Sequence, residues 1–179
     1  LTQGINKKAH LANISLIISL FLTAFLSLWF TKAAQLTGYS GEETLYLLDM
    51  SNGSLNLQGL LLAGILIGTL GVLDDVIVSQ VSTVEQLKKA NPDLSNRQIY
   101  LRSLKVGIDH ITSMINTLFF AYAGASLPLL ILFTQSDAIG LNFSQAISNE
   151  IIATEIVRTL IGSIGIVLAI PIANYLASY

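Results

Sequence analysis

Asp74 and Asp75 stand side by side in GVLDDVIVSQ, inside a stretch from Leu57 to Val81 that is otherwise uncharged. Two adjacent acids in a poorly hydrated setting disfavour double ionisation, so such a pair is suited to taking up and releasing one proton, or to holding a cation. Counting helical rise from Val81 places Asp74 about 10 Å inside the inner end of this segment, deeper than a helix cap. An acid at the centre of a membrane span costs about 2.5–3.5 kcal/mol on insertion scales and needs a partner, a proton or water. Asp75 falls on one helical stripe with Gly64, Gly68 and Gly71, and small residues at that spacing let a neighbouring helix approach closely. The spacing therefore predicts that Asp75 faces protein. Asp74, about 100° round the helix, is expected to share that crevice or to look toward an inner vestibule.

Asp109, Ser113 and Asn116 share a stripe further along the chain, with Thr112 and Thr117 beside it. Asp109, Asn116 and Thr117 are thus the candidate relay or coordination groups. Taken alone, an Asn or Thr in a span is more often interhelical glue than a ligand, whereas ionisable residues in spans default to pathways. Glu155 and Arg158, three apart, are expected to pair with each other near the outer face, which leaves the aspartates without that cation. His10 and His110 read as interfacial polar residues, too few to build a metal site. No metal or other cofactor is expected. The sequence has no cysteine, which excludes disulfides, thiolate metal sites and cysteine nucleophiles.

What must position these residues is a set of membrane helices. The chain is 53% hydrophobic and 11% charged, with a mean hydropathy of +0.68, and this places it outside the range of water-soluble domains. Four runs are long enough to cross a core of about 30 Å: about His10–Phe30, Leu57–Val81, Ile111–Phe133 and Ile156–Ala177. The first is too long for a signal peptide and lacks a small-residue cleavage site. Trp29 and Tyr39 flank its far end as interfacial rings would. Pro128 and Pro171 are expected to bend the third and fourth helices.

Lys7 and Lys8 precede the first span, and Lys88, Lys89, Arg97, Arg102 and Lys105 fall between the second and third. This asymmetry predicts cytoplasmic termini. Asn91-Pro92 should stop the second helix, and Ser95 with Gln98 forms a capping box for the next. The result is a basic cytoplasmic helical hairpin near anionic headgroups. The outer loops carry Glu42, Glu43, Asp49, Asp137 and Glu150, which have little weight in orientation. The fold class is all-α: one polytopic transmembrane domain over residues 1–179.

The segments GVLDDVIVSQVSTVEQL, LKVGIDHITSMINTLFFAYAGASLPLLILF and ATEIVRTLIGSIGIVLAIPIA, in that order, resemble the YibE/F-like family of bacterial multipass membrane proteins. The resemblance runs from about Gly53 to Ala173. It implies a helical bundle in the bacterial plasma membrane and, since family members usually carry further spans upstream, a carboxy-terminal portion of a longer protein. It brings no catalytic residues with it. More distantly, an aspartate-bearing helix, a basic hairpin and a hydroxyl-rich helix are similar in outline to proton-driven SecD/SecF machinery.

Three functions follow as expectations. The first is a transporter or permease component using the aspartate pair for proton or cation coupling, not an enzyme. Its partners would be the bilayer and other transmembrane helices of the same longer protein or a homologous subunit, with no nucleic acid. The second is a non-catalytic assembly subunit. The third is a magnesium-dependent phosphosugar transferase, because GVLDDV resembles the Gly-x-Leu-Asp-Asp signature of that class. Ser79 and Gln80, however, stand where a basic residue is expected. An aspartyl protease is weaker still, because Gly71 is followed by Val72, Leu73 and only then Asp74.

Overall fold

The computed structural model describes residues 7–39, 42–128, 131 and 148–179. Among them all regular structure is helical: α1 (Lys7–Ala33), α2 (Glu42–Met50), α3 (Leu57–Ala90), α4 (Asn96–Ala125) and α5 (Glu150–Ser178). Helices α1, α3 and α5 pack on one another, while α4 lies mainly on α5 and touches α3 less.

Polar contacts fix the ends. At one end Lys8 Nζ stands 3.7 Å from Glu85 Oε2, Lys88 Nζ donates to the Ala177 carbonyl at 2.9 Å, and the Tyr100 and Tyr175 rings meet edge to face. At the other end Gln58 Nε2 donates to the Leu36 carbonyl at 3.1 Å, and Glu150 meets the chain after α1. The four long helices therefore alternate in direction. The start of α1 and the end of α5 lie at the same end as the α3–α4 hairpin. The hairpin is built as the sequence requires: the Asn91 N–H bonds back to the Leu87 carbonyl, the Ser95 side chain accepts the Gln98 N–H, and Gln98 Oε1 accepts the Ser95 N–H at 3.0 Å.

The centre of the bundle is a seam of small residues. Ser15, Ser19, Thr23, Ser27 and Thr31 recur every four residues on α1, and all are buried. The hydroxyls of Ser15, Thr23 and Ser27 donate to the carbonyl one turn back at 2.8 Å, which satisfies them without an interhelical partner. Facing helix α5 buries Gly162, Gly165, Ala169 and Ala173. At the closest crossing, a methyl group on Gly165 would lie 3.0 Å from Thr23 Oγ1 and 3.6 Å from Thr69 Cγ2. Similarly, one on Gly107 of α4 would come within 2.6 Å of Ile170 Cγ2 and 3.0 Å of Gln80 Oε1. Without a hydrophobic effect to drive association in lipid, this close backbone approach is what holds the helices. Ile65, Leu73, Ile77, Ile161, Ile166 and Ile170 fill the remaining interior, while Phe21 and Phe25 of α1 point outward, as suits a surface that meets hydrocarbon.

The described helices leave the Gly64, Gly68 and Gly71 stripe open: a methyl group on Gly64 or Gly71 meets nothing within 4 Å, and one on Gly68 meets only the Tyr122 hydroxyl of α4 at 3.8 Å. Against α1 and α5, α3 turns Leu61, Ile65, Thr69, Leu73, Val76 and Gln80 inward, a stripe centred about 115° round the helix from the glycines. The small residues at the contact come from α1 and α5, so α3 supplies bulk there. Of the four expected spans, three are helices long and apolar enough to cross a membrane: α1, α3 and α5. In the described part of the other, α4, the first half is charged, and Thr112, Ser113, Asn116 and Thr117 dilute the rest. One expectation is corrected: α4 ends at Ala125 with Ser126 as its C-cap, so Pro128 lies beyond the helix and does not bend it. Pro171 is inside α5, as expected. Residues 129–130 and 132–147, with the end of the expected third span and Asp137, fall outside the described residues.

Replacing Gly165 or Gly107 by leucine should overpack these crossings and destabilise the chain by about 1–3 kcal/mol, read as a lower unfolding temperature in detergent. Leucine at Gly64 or Gly71 should leave that temperature unchanged in the isolated chain.

Candidate functional site

Helix α3 runs unbroken past Asp74 and Asp75, so its register against α1 sets their depth. Asp74 is eleven residues before Glu85, the residue level with Lys8 at the start of α1. That spacing corresponds to about 16 Å along the helix, half of a core of about 30 Å. The aspartates thus stand well inside the apolar zone, deeper than a count from Val81 gives, because the basic level is reached only at Glu85. Both are exposed on the bundle surface. Among the described residues neither has a hydrogen bond or an ion pair.

The other expected partners share this outward character. Asp109, Asn116 and Thr117 are all exposed on α4, and the Thr117 hydroxyl donates back to the Ser113 carbonyl at 3.0 Å. Gly107 lies against Gln80, and Tyr122 near Gly68. In the antiparallel register these contacts set, Asn116 and Thr117 stand near the depth of the aspartate pair and Asp109 about one turn nearer the hairpin. The structure thus gathers Asp74, Asp75, Asn116 and Thr117 at one depth. No hydrogen bond joins them.

Glu155 and Arg158 pair as their spacing predicts, with Arg158 Nη1 donating to Glu155 Oε1 at 2.9 Å. Arg158 is therefore committed and does not neutralise the aspartates. Beside the pair, α4 and α5 enclose an apolar cavity of about 360 Å³ lined by Phe119, Tyr122, Ser126, Glu155, Ile156 and Thr159 among others. Deep in the bundle, Gln80 on α3 and Asn174 on α5 are fully buried, and Gln80 Oε1 and both amide atoms of Asn174 lack a partner. Among the described residues, no three acidic, histidine or cysteine side chains cluster as a metal site.

Two polar features were not legible from spacing. Glu150, at the first turn of α5, accepts the N–H groups of Thr37, Gly38 and Tyr39 at 2.6–3.2 Å and the Thr37 hydroxyl at 2.8 Å. It clasps the end of α1 to the start of α5, and Gly38 permits the turn with φ of +92° facing the Leu57 carbonyl. The partners are 111–113 residues apart, beyond any local pattern. Likewise Lys8 on α1 reaches Glu85 on α3 at 3.7 Å, whereas the Glu85–Lys89 contact at 2.7 Å is local, one turn apart on α3.

The whole chain, residues 1–179, matches the family model described as YibE/F-like protein. It belongs to the YibE/F-like family. No curated protein and no solved structure matches it. The YibE/F-like chain is an integral membrane protein, with Asp74, Asp75 and Asp109 exposed on the described helices.

The hydrogen bond from Lys89, then its charge, holds the Glu85 carboxyl below the usual carboxylate range, with a smaller contribution from Lys8. A carboxyl depressed in the folded state contributes stability above its ordinary value near 4.5 and loses it as pH falls through the folded value. Acidification from pH 6 to pH 3 should therefore weaken the tie between α1 and α3, and Glu85→Gln should reduce that pH dependence in thermal unfolding.

Proposed function

We propose that this protein is a component of a membrane transporter or permease, in which Asp74 and Asp75 take up and release a proton or bind a cation. The supporting observation is their place: two unpaired carboxylates well inside the apolar zone on the uncovered face of α3. Ionisable groups at that depth face protein or a water-filled cavity, because hydrocarbon cannot solvate them. Within the assembled protein this face meets further transmembrane helices, of the same longer polypeptide or of a homologous subunit, or a hydrated path between them. Asn116 and Thr117 supply neutral oxygens at the same depth, and Asp109 marks the route toward the hairpin.

The proposed setting is the bacterial plasma membrane with both termini cytoplasmic. In support, Lys8, Lys88, Lys89, Arg97, Arg102 and Lys105 collect at one end of the bundle, the pattern that orients membrane helices. A cysteine at Ser95 should react only from the cytoplasmic side and one at Asn52 only from outside; opposite labelling would reverse the assignment.

A second reading, a non-catalytic assembly subunit, is favoured by Gly64, Gly68 and Gly71 lying uncovered beside the carboxylates, since such a surface also suits helix association. The two separate on substitution. In reconstituted full-length protein, Asp75→Asn should abolish pH-dependent proton or cation movement without preventing insertion, and Asp74→Asn should shift its pH dependence. Asparagine keeps the volume and hydrogen-bonding capacity of aspartate, so unchanged activity in the double asparagine variant would return the pair to a packing role.

A further inference from the structure

At the hairpin end of the bundle, α1, α3 and α5 leave a second cavity, of about 310 Å³. Its apolar lining is Leu11, Val81, Val84 and Leu176, and Lys8, Glu85 and Lys88 also line it. That volume is at the lower end of the range for ligand sites, and the division into apolar floor and charged rim fits an amphiphile. Its depth fits as well, because this is the level at which α1 and α3 pass from apolar to basic sequence.

The charges there do not cancel. Glu85 is bound closely by Lys89 at 2.7 Å, whereas Lys8 stands off at 3.7 Å, beyond hydrogen-bond length. Lys88 donates to the Ala177 carbonyl, a contact that orients the ammonium without neutralising it. Three ammonium groups thus share one carboxylate. We propose that this cavity binds an anionic phospholipid, its phosphate between Lys8 and Lys88 and its acyl chain on Leu11, Val81, Val84 and Leu176. Ammonium groups serve phosphate as compact point charges with several donors. Glu85 is the competing anion within the site and limits its affinity.

The test uses the full-length protein in phosphatidylcholine nanodiscs titrated with phosphatidylglycerol, bound lipid being counted by native mass spectrometry. Lys8→Gln and Lys88→Gln should each weaken phosphatidylglycerol binding about fivefold, the effect of one basic residue near a membrane surface. Glu85→Gln should strengthen it, Lys105→Gln on exposed α4 should leave it unchanged, and inorganic phosphate should not displace the lipid. Equal losses in Lys105→Gln and Lys8→Gln would reduce the effect to diffuse surface attraction and overturn the site. Displacement by inorganic phosphate would overturn the assignment to lipid. Lys8→Gln, which leaves the Lys88 contact with α5 intact, keeps the test decisive if Lys88→Gln fails to fold.

Discussion

The close approach of α1, α3 and α5 at Thr23, Thr69 and Gly165 is the constraint on which the rest of the bundle depends. A hydroxyl ladder on α1 presents a narrow surface, in which Ser15, Thr23 and Ser27 bond to their own backbone and Ser19 and Thr31 are buried without a partner. The glycines and alanines of α5 accept that surface, and α3 fills the space between with Ile65, Leu73 and Ile77. Because this inward face of α3 is fixed, its other face is fixed too. Gly64, Gly68, Gly71 and Asp75 must then point away from the bundle. The position of the carboxylates is a consequence of packing elsewhere.

This explains which features were legible in the sequence. Three of the four apolar runs, the hairpin punctuation at Asn91-Pro92, the Ser95–Gln98 capping box and the Glu155–Arg158 pair are found where spacing places them. Choosing between two stripes of one helix is not local. Both the Gly64–Gly68–Gly71 stripe and the Leu61–Ile65–Thr69 stripe have helical spacing, and only the neighbours decide. The signal that could have decided it was on α1, where Ser15, Ser19, Thr23, Ser27 and Thr31 keep an unbroken interval of four. The Glu150 clasp lay beyond reach for the same reason, since its donors come from residues over a hundred positions away. Helix α2, with Glu42 and Glu43 in its first turn, was read only as an outer loop, although acidic residues there suit a helix N-terminus.

An inside with hydroxyls and amides and an outside with carboxylates reverses what a self-contained membrane bundle needs. Glu85 is paired by Lys89 and Lys8 at the hairpin end, with positive charge left over, and Arg158 pairs with Glu155 at the other. The carboxylates of Asp74 and Asp75, like that of Asp109, are left without a partner among the described residues. On the proposed function, further helices or a hydrated path between them would meet that need.

The most direct measurement is the accessibility of that face in the bilayer. A nitroxide attached at Gly71, in full-length protein reconstituted into liposomes, reports collisions with lipid-dissolved oxygen and with a water-soluble nickel chelate. Cover by protein or water predicts oxygen exposure well below that of a nitroxide at Phe21, which is exposed on α1 at similar depth. Oxygen exposure at Gly71 equal to that at Phe21, with no access for the chelate, would show the face bathed in lipid and contradict the account.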